Sequence, residues 1–219
     1  MKRIFIVANW KSNKTESEAK EWFNGIRNYE LGIREKEIII CPSFTLLPIV
    51  KSLIHNHNLS IKIGAQDISP FDKGAYTGEV NGKQIKEFAD YVLIGHSERK
   101  KYLFENQELL EKKVAMANTY NLQSIYFIQD SRTQIPHNVS IIAYEPPSSI
   151  SPGPADTPEN AENAAKSILQ KQQNAVVLYG GNVTAANVGN FTLMPNINGV
   201  LVGRASLNVD EFLQIIQNA

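Results

Sequence analysis

The chain has 219 residues, and its 22 Lys and Arg residues balance its 22 Asp and Glu residues, so the formal net charge is zero. Proteins that bind nucleic acid or anionic membranes by charge usually carry an excess of basic residues, and this chain has none. The composition, with 42% hydrophobic and 20% charged residues, is that of a globular protein. The single cysteine, Cys41, excludes an internal disulfide and a cysteine-based zinc site.

Apolar runs in this sequence are short. The first one, Ile4–Ala8, is far too short to cross a bilayer or to form the core of a signal peptide, and no later run reaches spanning length. We therefore expect a cytoplasmic protein that binds neither a membrane nor a nucleic acid.

Eight short runs rich in β-branched and apolar residues are predicted to be strands. Most of them are continuously apolar rather than alternating, which is typical of parallel strands that are covered on both faces. The predicted strands are Arg3–Ala8, Glu37–Cys41, Ser60–Ala65, Tyr91–Gly95, Ser124–Ile128, Ser140–Tyr144, Ala175–Tyr179 and Gly199–Gly203.

Helical patterns separate these strands. The first opens with Thr15 and Glu18 at the spacing of a capping box, and Pro158 occupies a favourable position at the start of a later helix. The predicted helices are Thr15–Tyr29, Phe44–His55, Lys83–Phe88, Asn106–Tyr120, Pro158–Gln173, Thr184–Leu193 and Asp210–Gln217.

The alternation of strands and helices predicts a parallel sheet, and eight units favour closure into a (β/α)8 barrel that spans residues 1–219 as one domain. An open doubly wound sheet is the rival architecture. The Gly-x-Gly-x-x-Gly fingerprint that often accompanies that rival is absent after the first strand.

One unit of the pattern is incomplete. The linker between Asp130 and Ser140 is shorter than the roughly twelve residues of an ordinary parallel crossover, and Pro136 disfavours a helix through its middle. We predict that the helix between the fifth and sixth strands is missing or reduced to a single turn.

Chemically capable residues follow the predicted strands, at the face where barrel enzymes build their active sites. Lys11 offers a cation that attracts an anion and stabilises developing negative charge. His96 can polarise a carbonyl, and Ser97 is predicted to be the N-cap of a helix whose dipole would keep the imidazole neutral. Glu145 is either a general base or a strand-end glutamate that reaches solvent, and its position alone supports both equally.

Gly180 and Gly181 follow the seventh strand and precede a predicted helix, an arrangement suited to binding a phosphate. The remaining histidines, His55, His57 and His137, are interpreted as structural, and no metal site is predicted.

Several motifs, in this order, resemble those of triosephosphate isomerases over nearly the whole chain. They are Asn9-Trp10-Lys11, Gly64-Ala65-Gln66-Asp67, Tyr76-Thr77-Gly78-Glu79, Ile94-Gly95-His96-Ser97-Glu98-Arg99, Ala143-Tyr144-Glu145-Pro146, Tyr179-Gly180-Gly181-Asn182-Val183-Thr184 and Leu201-Val202-Gly203-Arg204-Ala205-Ser206-Leu207. The resemblance implies a TIM barrel that interconverts dihydroxyacetone phosphate and D-glyceraldehyde 3-phosphate in glycolysis and gluconeogenesis, without a cofactor.

The resemblance also implies roles for individual residues. Glu145 would move the proton, His96 would act as a neutral electrophile, and Lys11 would stabilise the enediolate. Asn9, which would help to orient the substrate, and Lys11 would bind the substrate. The supporting residues would be Glu98, which pairs with Lys11, and Ser97, which binds Glu145 while the lid is open. Substrate-binding positions, mainly through backbone amides, would be Ser151, Gly180, Gly181, Asn182, Gly203 and Arg204.

The family further implies a homodimer. The loop Phe71–Val80, with Tyr76 and Thr77, would reach into a second subunit, and Thr77 would approach Asn9 of the partner subunit. Loss of the fifth helix could expose apolar surface that favours a higher assembly.

The chain departs from the family pattern at a few positions. Ile150-Ser151-Pro152-Gly153 replaces the usual Ile-Gly-Thr-Gly of the lid, and Pro152 stiffens it. Ser148 replaces a hinge tryptophan, Phe127 replaces a frequent cysteine, and Arg204 replaces a second glycine.

Two other functions remain open at this stage. A non-catalytic phosphosugar-binding barrel with a retired isomerase site would explain the altered lid. Another phosphate-binding barrel enzyme would act on a bulkier substrate.

Overall fold

The closed barrel is built from eight parallel strands that pair in chain order, with β8 returning to pair with β1. This computed structural model describes residues 2–27, 29, 35–149 and 153–219. The strands are β1 (Ile4–Asn9), β2 (Lys36–Cys41), β3 (Lys62–Ala65), β4 (Tyr91–Ile94), β5 (Gln123–Ile128), β6 (Ile141–Tyr144), β7 (Val176–Tyr179) and β8 (Gly199–Val202). The predicted (β/α)8 barrel is confirmed, and the open doubly wound sheet is wrong.

Helices flank the barrel. They are α1 (Glu16–Ile26), α2 (Leu47–Asn56), α3 (Gly82–Lys86), α4 (Ser97–Tyr102), α5 (Gln107–Thr119), α6 (Pro158–Lys171), α7 (Val188–Thr192) and α8 (Val209–Asn218). Short 3-10 helices precede α2 at Phe44–Leu46, follow β6 at Pro147–Ser149 and follow β8 at Arg204–Leu207. Among the helices within the described ranges, none has the length and apolar character needed to cross a bilayer.

Side chains of each strand divide between two apolar clusters because successive residues point to opposite faces. In β1, Ile6 and Ala8 pack in the outer cluster together with Trp22 of α1, whereas Phe5 and Val7 belong to the inner cluster that fills the barrel. Both faces of the sheet are therefore buried, which explains why the strands read as continuous apolar runs.

Capping interactions fix where several helices begin. The Thr15–Glu18 capping box predicted for α1 is present. A second capping box, between Asn81 and Gln84, starts α3 and was not predicted. The predicted N-cap at Ser97 is wrong, because His96 is the N-cap of α4 and its side chain accepts a hydrogen bond from the backbone N–H of Glu98.

The connection between β5 and β6 contains turns and no helix, as the short linker predicted. Side-chain donors near the end of α6 hold it in place, because Lys171 Nζ donates to the carbonyl of Ser131 at 2.9 Å and Gln172 donates to the carbonyl of Val139. Val139 is buried and Ile135 packs against the outer cluster. The connection thus covers part of the surface that a helix would otherwise cover.

The helix predicted over Thr184–Leu193 is much shorter, since α7 contains only Val188–Thr192. Residues 184–187 form a turn in which the side chain of Asn187 accepts from Thr184 N–H and donates to the carbonyl of Asn182. Local side-chain hydrogen bonds of this kind compete with helix formation, which is why the pattern overestimated the helix.

Three buried charged residues, Asp67, Glu105 and Lys113, form a network of ion pairs with the partly exposed Arg99 of α4. Lys113 Nζ contacts Asp67 Oδ1 at 2.6 Å and also pairs with Glu105, while Arg99 contacts Asp67 at 2.6 Å and Glu105 at 2.7 Å. Burial raises the pKa of Asp67, and the neighbouring Lys113 and Arg99 charges oppose that increase. The network ties the loop after β3 to α4 and α5.

Replacing Lys113 with Met is expected to destabilise the fold by about 3–5 kcal/mol, because Asp67 and Glu105 would lose a buried counter-charge. Urea unfolding followed by circular dichroism measures the change. Lys112→Met is the matched control, since Lys112 is exposed and its ion pair with Glu108 spans one helical turn on the surface. Equal unfolding midpoints for the two variants would contradict the stabilising role of the network.

Candidate active site

The segments that follow β1, β4, β6, β7 and β8 meet around one cavity at the carboxyl end of the barrel. This placement follows from the fold, because parallel strands of a closed barrel all end at the same rim. The cavity is lined by Lys11, His96, Glu145, Ser149, Gly180, Gly181, Asn182, Val183, Leu201, Gly203, Arg204 and Ala205. Three other residues singled out in the sequence contact residues of this lining. Asn9 and Glu98 hydrogen-bond to Lys11, and Ser97 hydrogen-bonds to Glu145.

Lys11 is held in an unusual backbone conformation at the end of β1. Its φ is +53°, in the left-handed region that costs a non-glycine residue roughly 1–2 kcal/mol. Asn9 Oδ1 accepts from the Lys11 N–H at 3.0 Å, and Gln66 Nε2 donates to the Lys11 carbonyl at 2.9 Å. The Lys11 ammonium contacts Glu98 Oε1 at 2.6 Å. Backbone and side chain are therefore both fixed before any substrate binds.

Gln66 was assigned no role from the sequence, although its motif was recognised. Its Nε2 also donates to the Cys41 carbonyl at 2.9 Å, so one side chain joins the ends of β1 and β2. Its position directly after β3 was the available signal.

His96 presents one nitrogen to the protein and the other to the cavity. Nδ1 accepts from the Glu98 N–H at 3.2 Å, so in the neutral ring the proton resides on Nε2. Nε2 is buried, lies 3.4 Å from Glu145 Oε1 and has no hydrogen-bond partner within the described part of the chain. The imidazole is therefore arranged to donate a hydrogen bond to something bound in the cavity.

The Glu145 carboxylate is almost fully buried, with 6% of the residue exposed. Ser97 Oγ donates to Glu145 Oε2 at 3.1 Å, and the Glu145 N–H donates to the Ile128 carbonyl at 2.9 Å. The alternative that this glutamate extends into solvent is therefore wrong. A β-carbon at Gly180 would lie 2.7 Å from Glu145 Cγ, so glycine is required beside this carboxylate.

Lys100 belongs to α4, the helix that begins after His96. Burial lowers the pKa of Lys100, and the negative charge of Glu145 opposes that decrease. Its Nζ donates to the Phe127 carbonyl at 2.9 Å, and the Phe127 ring packs edge-on against His96 at a centroid distance of 4.9 Å.

The loop after β7 packs closely on its own strand. A β-carbon at Gly181 would lie 2.0 Å from Tyr179 Oη, and the Tyr179 ring stacks on Phe191 at a centroid distance of 3.9 Å. Tyr179 Oη also accepts from the Asp156 N–H at 2.8 Å. Because α7 begins only at Val188, the helix expected directly after the glycines does not contribute there.

The segment after Glu145 begins as a 3-10 helix at Pro147–Ser149. Ser151, predicted to bind the substrate, lies with Ile150 and Pro152 outside the described residues. At the far end of this segment, Asn182 Nδ2 donates to the carbonyl of Gly153 at 3.2 Å.

Comparison with known proteins identifies the family of this chain. The sequence model of the family described as "Triosephosphate isomerase" matches residues 4–139 and 131–219. The chain belongs to the triosephosphate isomerase family. The two matched segments meet in the β5–β6 connection, where the helix is absent.

Curated proteins named "Triosephosphate isomerase" are similar to this chain over almost their full lengths. The relatives from Acetivibrio thermocellus and Thermodesulfovibrio yellowstonii are each 35% identical, covering 98% and 99% of this chain and 97% and 100% of the relative. The relative from Gloeothece citriformis is 34% identical, covering 99% of each chain. The alignment with the Thermodesulfovibrio protein runs over 247 positions, which is more than the length of this chain. The Thermodesulfovibrio protein therefore contains segments that this chain lacks.

Replacing Gly181 with Ala is expected to destabilise the protein by about 1–3 kcal/mol, because the stacked Tyr179 ring cannot move away from the new methyl group. Urea denaturation measures this change. An unfolding free energy equal to that of the wild type would contradict the tight packing inferred for this loop.

Proposed function

We propose that this chain interconverts dihydroxyacetone phosphate and D-glyceraldehyde 3-phosphate by moving a proton between neighbouring carbons through an enediolate. Family membership and the printed name of the relatives support this reaction. The observation that carries the residue assignments is the meeting of a lysine, a histidine whose Nδ1 accepts a backbone hydrogen bond, and a buried carboxylate around one cavity.

Glu145 is the proposed base. A carboxylate removes the proton from the carbon beside the substrate carbonyl and, once protonated, returns it to the adjacent carbon. Glu145 is buried, and the side-chain hydrogen bond that it accepts from Ser97 engages Oε2, which leaves Oε1 as the oxygen proposed to meet the substrate. Ser97 therefore acts as a positioning residue.

His96 is the proposed electrophile. Because Nδ1 is occupied by the Glu98 N–H, the Nε2–H group is the donor that faces the cavity. A buried donor without a partner costs free energy that a substrate oxygen recovers on binding. As negative charge develops on that oxygen, the hydrogen bond strengthens, which stabilises the transition state more than the ground state.

Lys11 is the proposed cation for the enediolate. Its ammonium is fixed by Glu98, and Asn9 fixes its backbone, so little reorganisation is required when charge develops. Asn9 and Glu98 are thus assigned to support Lys11.

The phosphate group is proposed to bind at the ends of β7 and β8. Gly180, Gly181, Asn182, Gly203 and Arg204 would contribute there, with backbone N–H groups as the main donors. Ser151 would add a donor from the segment after β6. Closure of that segment over the site would exclude water and protect the enediolate from losing its phosphate.

Replacing Glu145 with Asp tests the central assignment. The shorter side chain withdraws the carboxylate by one methylene group, so we expect turnover to fall about 100-fold or more while the fold is retained. A coupled assay with D-glyceraldehyde 3-phosphate measures it. Glu159→Asp makes the same chemical change on the exposed first turn of α6 and should leave turnover unchanged.

The outcomes separate the competing functions. Turnover retained in Glu145→Asp would remove Glu145 from the role of base. A wild-type chain that binds the triose phosphate without converting it would instead indicate a retired isomerase site. Preference for a bulkier phosphorylated substrate would indicate a different barrel enzyme.

A homodimer is also proposed. Phe71 and Tyr76 are exposed and stack on each other at 4.2 Å between ring centroids. A second exposed apolar group, Tyr102, Leu103 and Phe104, lies at the C-terminal end of α4. The Asp67–Arg99 ion pair joins the segment after β3 to α4, the two parts of the chain that lead to these groups. We propose that both groups contact a second copy, in which Thr77 would approach the partner's active site.

Tyr76→Asp is expected to shift the protein from dimer to monomer, because it places a charge in this apolar surface. Size-exclusion chromatography with light scattering measures the mass and also distinguishes a dimer from a higher assembly. Leu193→Asp, at an exposed apolar residue elsewhere on the barrel, should leave the mass unchanged. A monomeric wild-type chain would contradict the proposed dimer.

We further propose that residues 1–219 form a single domain, which is supported by the pairing of β1 with β8 and by the packing of α1 with α8. A cytoplasmic location is proposed as well, since the charged triose phosphate substrate does not cross a bilayer unaided.

A further inference from the structure

We propose that the Arg204 guanidinium supplies a second cation for the substrate phosphate, in addition to the backbone N–H of the same residue. This inference rests on the proposed function, because it requires the phosphate to bind at the ends of β7 and β8.

Arg204 stands next to the other groups that would contact an anion. It directly follows Gly203 and lines the same cavity as Lys11, Gly180 and Gly181. The two strand ends are in close contact, since a β-carbon at Gly203 would lie 3.5 Å from Lys11 Cε and 3.8 Å from Lys11 Nζ. Arg204 is therefore the residue next to Gly203, which lies against the Lys11 side chain.

The guanidinium of Arg204 has no carboxylate partner among the described residues. Within these ranges, Arg3, Arg99 and Arg132 each pair with a carboxylate, whereas Arg204 is exposed and, like Arg27, forms no ion pair.

The charge balance of the site favours this role. Lys11 is paired with Glu98, and the Glu145 carboxylate lies in the same cavity, so these three groups together carry one net negative charge. These three groups do not by themselves attract a phosphate ester with close to two negative charges. The positive charge of Arg204 brings the sum over the four groups to zero, which makes binding of the anion more favourable.

A guanidinium also matches a phosphate in shape. Its planar arrangement of N–H groups can donate two parallel hydrogen bonds to phosphate oxygens, and it stays charged at every relevant pH. Because the phosphate does not react, this contact would be equally strong in the ground state and the transition state. We therefore expect it to affect KM and leave kcat nearly unchanged.

Arg204→Gln tests the proposal, since it keeps the backbone N–H and a polar side chain while removing the charge. We expect KM for D-glyceraldehyde 3-phosphate and the inhibition constant of inorganic phosphate to rise about 3- to 10-fold at low ionic strength, with kcat within about twofold. The difference should shrink at high salt, because screening weakens the lost interaction.

Two further variants make the test specific. Arg132→Gln makes the same change in net charge on the β5–β6 connection, where the exposed Arg132 pairs with Asp130, and should change neither constant. Arg204→Lys retains the charge and should keep both constants closer to wild-type values than Arg204→Gln does.

The outcomes distinguish this inference from the assignment on which it depends. If the wild type is active and inorganic phosphate competes with substrate, but Arg204→Gln leaves both constants unchanged, the guanidinium has no role and the inference is overturned. Equal losses in Arg204→Gln and Arg204→Lys would also overturn it, because the charge would not be the cause. If inorganic phosphate does not compete with substrate in the wild type, the phosphate site itself is wrongly placed.

Discussion

Pairing of β1 with β8 is the constraint on which the site depends. It closes the sheet, and it brings the end of the first strand, with Lys11, against the end of the last, with Gly203 and Arg204. The same closure directs the ends of β4 and β6 into one cavity, so that His96 Nε2 and Glu145 Oε1 lie 3.4 Å apart. In an open sheet the first and last strands would be edges, and groups from opposite ends of the chain would not share a small substrate.

Polar side chains fix the positions of the groups that the barrel brings together. Gln66 bridges the ends of β1 and β2. His96, which follows β4, caps α4, and the Asp67–Arg99 ion pair joins α4 to the segment after β3. Each of these contacts fixes a group before the substrate arrives, which is the condition for electrostatic stabilisation without reorganisation. The barrel also closes without a helix between β5 and β6, and hydrogen-bond donors near the end of α6 hold the connection in place.

The sequence predicted the strands to within two residues, because a sheet buried on both faces leaves a continuous apolar signal. The missing helix was predictable from linker length, and the residues that meet at the rim were predictable from their positions after strands. The role of Gln66 as a bridge and that of His96 as a helix cap were not predictable, because both depend on atoms that only folding brings together. The length of α7 was overestimated because Asn187 forms a local turn that the apolar pattern does not reveal.

Four mutually paired charges beside α4 come from separate segments of the chain, and each needs the others to offset its burial. A single change of charge at Asp67 or Lys113 therefore carries a penalty that only a second change, elsewhere in the group, can relieve. Sequence drift at these positions is consequently coupled, and a substitution tolerated in one member of the family need not be transferable to another.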